Sequence, residues 1–430
     1  MVSQLNMILF FFAIVPMFFS LSIMGFVYSF YFFNKFEAVF FNYCIKTMHL
    51  NWKAWCRKSI YLIDSTYVTD IDNVASKIMG VDGQAPMNPE KAVPISAIRA
   101  IDSSALYFLF DKILLPMKAK LKFFPSITIL LNTNQEQEKI IDALINYSQL
   151  HDLNIKRYDI IFSNEIPTPD IINSWIDDKV IQNILLINML FDINTQLPVT
   201  EYCCAILFSD DTQKLKYFNL KLKLFRVLNT NLPNLSDDLD YFLAAEQVEK
   251  KQLNQGWTNL SASALSIFKS ALLDSDSKVK LNPNKIYELD HHLGKLDDHG
   301  WLALAFAAEG VTQGQKGQII ATKSDGAIHI MQLSDKEARF PERDKRPSGY
   351  PVITWLSLVL FLSLLFFLLG YAHKEISDSP LSILTVVMFL IILLLVTSLV
   401  FTSAHLLISE YEDEFIEMWY KEQGKISPND

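Results

Sequence analysis

The chain has 430 residues, of which 50% are hydrophobic, and its formal net charge is −9 at pH 7. Its length allows more than one domain, and its apolar content is high for a purely soluble protein. The acidic balance argues against nucleic acid as a partner, because binding a phosphate backbone needs clustered Lys and Arg. Nucleotide binding has no motif either, since both the G-x-x-x-x-G-K-[ST] loop and the G-x-G-x-x-G fingerprint are missing.

Three apolar runs are predicted to cross a membrane. They are Met7–Phe33, Val352–Ala372 and Leu381–Phe401, and each reaches the roughly 20 apolar residues that span a bilayer. The first run lacks the basic region and the cleavage site of a signal peptide, so we expect it to be retained. No Asp, Glu, Lys or Arg lies inside a run, which argues against a transporter or proton path.

Basic residues flank these runs on one side only. None precedes the first run, whereas Lys35 and Lys46 follow it and Arg339, Arg343 and Arg346 precede the second. Because cytoplasmic flanks retain Lys and Arg, the pattern predicts a multi-pass membrane protein. Its N-terminus would lie outside, and its main domain and C-terminal tail would be cytoplasmic.

The predicted organisation has six parts. They are an N-terminal transmembrane anchor (1–34), an amphipathic membrane-proximal segment with a connector (35–94), a cytoplasmic α/β domain (95–335), a basic juxtamembrane linker (336–351), a transmembrane helical hairpin (352–404) and an acidic cytoplasmic tail (405–430). Within the second part, residues 36–64 have helical periodicity and are predicted to form an amphipathic helix at the membrane interface or under the domain.

Short apolar segments alternate with helical periodicity through the main domain, a pattern typical of α/β folds. Strands are predicted at 126–132, 158–163, 181–192 and 201–211, helices at 134–153, 170–179, 240–253 and 261–273, and a final hairpin at 316–335.

Three of these segments resemble the condensing-enzyme (β-ketoacyl synthase, thiolase-like) family. They are "INSWIDDKVIQNILLINMLFD", "PVTEYCCAILFSDD" and "LGKLDDHGWLALAFAAEG". In that family a helix and a "vlvGGvd" strand precede a "GEGAaaLvLs" strand, and a later "GHtgaAaG-llala" segment leads into a helix. The resemblance covers residues 95–335. It implies an α/β thiolase-like cytoplasmic domain, duplicated and five-layered, next to the three transmembrane α-helices.

The resemblance also implies a nucleophilic cysteine at the start of a buried helix. No cysteine lies between Cys56 and Cys203, so the segment after the 158–163 strand offers only Ser163 and Thr168. The four cysteines form no CxxC pair and no disulfide framework, and are expected to be buried thiols.

Histidines that activate the nucleophile and stabilise the oxyanion are the second requirement that the resemblance implies. The "GH" of the family would fall near Leu293 and Gly294, and Ala245 stands where another catalytic histidine belongs. The chain therefore resembles a degenerate scaffold, without catalytic residues and without a cofactor.

The stretch "DHHLGKLDDHG" concentrates titratable groups, and its histidines His291, His292 and His299 are candidate metal ligands together with nearby aspartates. The spacing H-H-x6-H disfavours a metal site, because it puts no two ligands one helical turn apart. The alternative is structural: Asp297 or Asp298 caps the following helix, and Gly310 ends it.

A hydrolase remains a further interpretation of these residues. Ser163, His299 and Asp297 could form a triad, but the chain lacks the G-x-S-x-G elbow that strains such a serine.

The leading functional interpretation is a non-enzymatic, membrane-anchored adaptor or assembly protein whose cytoplasmic domain docks other proteins. The resemblance and the charge pattern together imply a bacterial inner membrane as the location. A resemblance to membrane-anchored accessory proteins of secretion machines implies a secretion system such as type VI as the setting. Its partners would be other proteins and the lipid bilayer, with a homo-oligomer as a further option. The alternatives are a membrane-bound acyl-transfer or hydrolytic enzyme on a thiolase-like scaffold, and a toxin-immunity membrane protein.

Overall fold

The structure is a computed structural model that describes residues 15–345, except for 102–104, 154, 164, 179–182, 194–196, 212–216, 219–221, 250, 275–280, 298, 325 and 343. The predicted spans 352–372 and 381–401, the tail and the first part of the N-terminal span lie outside the described residues. Within the described part, no helix is both long and apolar enough to cross a membrane. The chain divides into two compact units, one of residues 1–51 with 341–430 and one of residues 52–340.

Eleven α-helices lie in the described part of the chain. They are α1 (Val15–Cys56), α2 (Val74–Ile78), α3 (Ser96–Arg99), α4 (Ala105–Ile113), α5 (Lys118–Leu121), α6 (Gln137–His151), α7 (Ile171–Asp178), α8 (Leu235–Ala244), α9 (Ala262–Asp274), α10 (Leu289–Leu293) and α11 (Trp301–Thr312). Single 3₁₀ turns occur at Arg157–Asp159 and Pro283–Lys285.

The strands of the described residues form one mixed sheet. They are β1 (Ser59–Val68), β2 (Thr128–Thr133), β3 (Ile160–Ser163), β4 (Asn183–Leu190), β5 (Tyr202–Ser209), β6 (Leu222–Phe225), β7 (Leu228–Thr230), β8 (Leu253–Thr258), β9 (Ile286–Glu288), β10 (Gly317–Ser324) and β11 (Ala327–Ser334).

The sheet repeats one strand order twice. The first half runs β3-β2-β4-β5-β1, with β5 antiparallel to both of its neighbours. The second half runs β9-β8-β10-β11-β6, with β11 antiparallel to both of its neighbours. The first strands of the two halves, β1 and β6, pair antiparallel and join them. The domain is therefore a duplication about an axis between β1 and β6.

Three hydrophobic cores hold five layers together, and the middle core surrounds the central helices. Helices α4 and α6 cover the outer face of the first half, and α8 and α9 cover the outer face of the second. The middle core holds α7 and α11 together with side chains of both halves. Strands β4 and β5 are buried on both faces, which explains their nearly continuous apolar sequences. The duplicated, five-layered α/β arrangement is the one that the sequence resemblance implied.

The boundary predicted at residue 95 is wrong. Strand β1 lies in the middle of the sheet, so the domain includes residues that were assigned to the membrane-proximal segment. The helix expected over 36–64 ends at Cys56. The helix expected over 240–253 is also shifted, since α8 ends at Ala244 and β8 begins at Leu253.

Both caps predicted for α11 are wrong. Its N-cap is Gly300, in the left-handed region, and none of the side chains that the structure describes caps the helix there. Asp297 instead accepts a hydrogen bond from the Tyr202 hydroxyl on its main-chain oxygen, at 3.1 Å, and Asp298 lies outside the described residues. Gly310 lies inside the helix, where a Cβ would sit 3.2 Å from the sulfur of Met79, so close packing explains this glycine.

Candidate functional site

Two buried helices occupy equivalent places in the two halves. Helix α7 links β3 to β4, and α11 links β9 to β10, so each follows the third strand of its half. The segments that lead into them touch: Trp301 Nε1 donates to the Pro167 carbonyl at 2.7 Å, and His299 Nδ1 lies 3.1 Å from the Ile166 carbonyl. This junction brings His299 next to the segment that contains the nucleophile candidates Ser163 and Thr168, and we treat it as the candidate site.

The nucleophile candidates at the junction are already engaged locally. Ser163 Oγ donates to the Glu165 carbonyl at 2.6 Å, and the Thr168 hydroxyl donates to the Asp170 carboxylate. Cys203 lies on β5 and is fully buried, and burial raises the pKa of its thiol well above the ordinary value. Among the residues that the structure describes, neither hydroxyl is hydrogen-bonded to His299.

His299 is held rigidly. Its backbone is left-handed, with a φ of 49°, and Nδ1 carries a proton because a carbonyl oxygen can only accept. The other ring nitrogen lies 3.8 Å from Asp297 Oδ1. The neighbouring Gly300 has a φ of 96°, and a Cβ there would come within 2.6 Å of Thr322. The imidazole thus holds the loop before α7 in place.

The position predicted for the family histidine is different from the position of this imidazole. Leu293 is buried in the middle core, and Gly294 packs so closely on the Lys91 carbonyl that no Cβ would fit. Ala245 follows the end of α8, and its carbonyl accepts from Arg57 Nε at 3.0 Å. The imidazole at the junction is His299, which the sequence pattern had suggested only as a metal ligand or a triad member.

The three candidate metal ligands contact different parts of the domain. His292 Nδ1 lies 2.9 Å from the Pro86 carbonyl, and the ring of the exposed His291 packs against it with centroids 5.5 Å apart. His299 instead contacts the loop before α7. Within the described ranges, no three His, Cys, Asp or Glu side chains are placed to hold a metal ion.

A polar cluster that the sequence analysis missed lies near the C-terminal end of α11. Glu309 accepts from the Tyr67 and Ser76 hydroxyls at 2.5 Å and from Gln313 Nε2 at 2.8 Å. Burial, together with the bond to Glu309, raises the pKa of Tyr67, so the phenol stays protonated. Glu309 and Tyr67 line a cavity of about 200 Å³. Glu309 is the only charged residue of an otherwise apolar helix, which was the available signal.

The entrance and the exit of the domain lie side by side. The guanidinium of Arg57, just after α1, donates to the carbonyls of Ala245 and Arg339, at 3.0 and 3.2 Å. Its Cζ lies 5.2 Å from the centroid of the Phe340 ring. Since Arg57 is buried at 8% exposure, these contacts fix residues 338–340 beside the residues where the chain enters the domain.

No protein-family model and no curated protein matches the chain. Solved structures do. The type II PKS acyl-carrier protein in complex with its ketosynthase (AntDE:AntF) has a TM-score of 0.46 and 10% identity, over 65% of this chain and 100% of that chain. OleA of Xanthomonas campestris has a TM-score of 0.37 and 10% identity, over 64% and 98%. The 3-oxoacyl-[acyl-carrier-protein] synthase III of Aquifex aeolicus VF5 has a TM-score of 0.34 and 12% identity, over 64% and 99%.

These neighbours include a ketosynthase and a 3-oxoacyl synthase, and both belong to the condensing enzymes that the sequence resembles. Their TM-scores lie below 0.5, so the function must be argued from this chain's own residues.

Proposed function

We propose that this chain is a non-enzymatic, membrane-anchored protein of a bacterial inner membrane, and that its thiolase-like domain docks other proteins. The observation that supports this most is the junction of α7 and α11. The residues there bond to one another and to main-chain carbonyls: His299 and Trp301 bond to the loop before α7, and the hydroxyls of Ser163 and Thr168 bond within it.

A catalytic nucleophile needs a base within hydrogen-bond reach, and an acyl group needs room next to it. Trp301 is fully buried at this point, where it packs with Trp175 and Phe208 at centroid distances of 6.3 and 6.4 Å. Aromatic rings therefore fill the space between the two helices.

The anchoring rests on the three apolar runs of the sequence and on the adjacent ends of the domain. Arg57 holds the last residues of the domain beside its first residues. The two connections to the predicted membrane segments therefore leave the domain at one place, which suits attachment to one face of a membrane. An accessory role in a secretion system stays a prediction from the sequence.

The test combines chemistry and binding in the full chain, purified in detergent. After incubation with an acyl-CoA, intact-protein mass spectrometry should show no acyl adduct. Co-purification from native membranes should recover the same partners with Ser163→Ala, Thr168→Ala and His299→Gln as with the parent chain. Ser261→Ala, at an exposed hydroxyl on another loop, is the matched control.

An enzyme would give the opposite result. An acyl adduct on Ser163 or Thr168 that is lost in His299→Gln, with the fold intact, would replace the docking proposal by the acyl-transfer alternative. The presence of His299 beside this loop is the observation that keeps that alternative worth testing.

A further inference from the structure

Two aromatic side chains are exposed where the chain enters and leaves the domain. Trp55 lies near the end of α1 and is 50% exposed, and Phe340 follows β11 and is 41% exposed. Both belong to the compact unit of residues 52–340. Single exposed rings are common on protein surfaces, so the way in which these two are held decides whether they form a site.

Each ring packs on a buried guanidinium. The Cζ atom of Arg226 lies 4.1 Å from the centroid of the Trp55 ring, and the Cζ atom of Arg57 lies 5.2 Å from that of the Phe340 ring. The side chains of these two arginines are only 4% and 7% exposed. At such distances a guanidinium attracts the face of an aromatic ring. Each ring is therefore supported from inside the domain, while a large part of it faces solvent.

Hydrogen bonds connect the two supports. Arg226 Nε donates to the Trp55 carbonyl at 2.9 Å, and both of its terminal nitrogens bond to the Asp177 carboxylate, one of them at 2.9 Å. Gln247 Nε2 donates to the Cys56 carbonyl at 2.8 Å and lies 3.5 Å from the Arg226 carbonyl. The two rings thus project from one hydrogen-bonded unit. Because little side-chain freedom is left to lose, contact with another surface would cost them little entropy.

The surroundings of the rings are positively charged, although the chain as a whole carries a net charge of −9. Lys58 and Arg339 are exposed beside the rings. Residues 52–60 and 335–340, with the charged side chains that pair or stack with them, have seven bases and four acids, which leaves a local charge of +3. The bases are Lys53, Arg57, Lys58, Lys223, Arg226, Lys336 and Arg339, and the acids are Asp177, Glu246, Asp335 and Glu337. Aromatic rings among Lys and Arg are typical of a surface that contacts a membrane interface.

We propose that Trp55, Lys58, Arg339 and Phe340 form an attachment surface that lies on the headgroups of an anionic phospholipid bilayer. This inference rests on the proposed membrane anchoring. Tryptophan concentrates at the boundary between headgroups and acyl chains, and Lys and Arg are attracted to anionic lipids. A bilayer is favoured over a protein partner because both connections to the predicted spans leave the domain here. Docked in this way, the domain keeps one orientation and leaves its other faces to protein partners.

Photo-crosslinking of the full chain in native membranes tests this contact. The photoreactive residue p-benzoylphenylalanine replaces Trp55 or Phe340, so that one aromatic group stands in for another. The matched control carries the same group in place of Tyr158, which is 78% exposed and precedes β3 at one end of the sheet. After irradiation, mass spectrometry should find phospholipid adducts at positions 55 and 340 and none above background at position 158.

Nanodiscs that contain the full chain test the role of charge. The adduct yield at position 340 should be higher with phosphatidylglycerol than with phosphatidylcholine alone. In phosphatidylglycerol, Lys58→Gln with Arg339→Gln should lower the yield about fivefold or more, because each basic residue near an anionic surface contributes roughly that factor to the attraction. Lys139→Gln with Lys323→Gln, at exposed lysines outside the attachment surface, should leave the yield unchanged. Equal yields in the two lipids would refute the preference for anionic headgroups.

Alkaline carbonate extraction in parallel separates this inference from the proposed anchoring. Adducts to protein instead of lipid, or no adduct above the control, in a chain that resists extraction would refute only the attachment surface. A chain that carbonate extracts, yet that forms lipid adducts at position 340 before extraction, would refute only the integral anchoring.

Discussion

The two halves of the domain share a strand order, yet they contribute very different helices to the middle layer. In α11 every residue except Glu309 and Thr312 is buried, and the helix contacts strands of both halves, β1 and β5 on one side and β8 and β10 on the other. In α7 only Ile172, Trp175 and Ile176 are buried. The duplication is therefore one of topology, and the central helix of the second half is the more enclosed of the two.

The difference in burial between α7 and α11 explains why the junction is closely packed. A helix that is buried all round must fill its first turn as well, and Trp301 does so by bonding to the loop of the other half. The hydroxyls of Ser163 and Thr168 in that loop bond within the loop itself. We infer that the junction stabilises the domain. The following predictions test the difference in burial between α7 and α11.

The largest loss of stability is expected when a buried side chain of α11 is shortened. Phe306→Ala should lower the free energy of unfolding by about 3–5 kcal/mol, because it leaves a cavity among fully buried side chains. Ile176→Ala on α7 should cost about 2 kcal/mol, at the lower end for such a change, since that helix is less enclosed. Tyr158→Ala, at a side chain 78% exposed, is the neutral control.

Chemical unfolding of the full chain in detergent measures these values. Tryptophan fluorescence follows it, since Trp257 lies 5.6 Å from Phe306 between ring centroids. A larger loss for Ile176→Ala than for Phe306→Ala would refute the central role of α11.

A smaller effect should separate sterics from backbone strain at the turn before α11. Gly300 and Gly326 both have a positive φ, 96° and 82°. A Cβ at Gly300 would meet Thr322 at 2.6 Å, whereas Gly326 faces open space. Gly326→Ala should therefore cost about 1–2 kcal/mol from strain alone, and Gly300→Ala about 2–4 kcal/mol with the overlap added. Equal melting temperatures for the two variants would mean that this turn has room to adjust.

The sequence predicted the first half of the fold better than the second, for a physical reason. Strands β2, β4 and β5 are apolar on both faces and can be recognised from composition alone. Strand β8, "LNQGWT", is buried although it is polar, and partners that are remote in the chain bond to its side chains. Gln255 Nε2 bonds to Gln315 Oε1 at 3.0 Å, and Trp257 Nε1 bonds to Gln318 Oε1 at 3.0 Å. Such partners are fixed by tertiary structure, so a local pattern does not reveal them.

The same limit applied to the site. The absence of a cysteine before α7 was evident from the sequence, as were Ser163 and Thr168. The role of His299 was not, because it depends on a contact between loops 133 residues apart. The sequence also gave no reason to expect that Glu309 would meet Tyr67, whose strand was assigned to a segment outside the domain.

The smallest and most specific prediction concerns Glu201, a buried carboxylate beside β5. It accepts from Arg99 at 2.8 Å and from the Ile95 amide at 2.8 Å, yet burial outweighs these bonds and raises its pKa. The folded chain thus keeps this proton to a higher pH than the unfolded chain does. The contribution of Glu201 to stability should fall as the pH rises from about 4.3, the ordinary value, through the raised pKa. Glu201→Gln cannot titrate, so its melting temperature should decline less between pH 4 and pH 7 than that of the parent chain. Parallel declines would show that the bonds to Arg99 and Ile95 compensate fully for the burial of this charge.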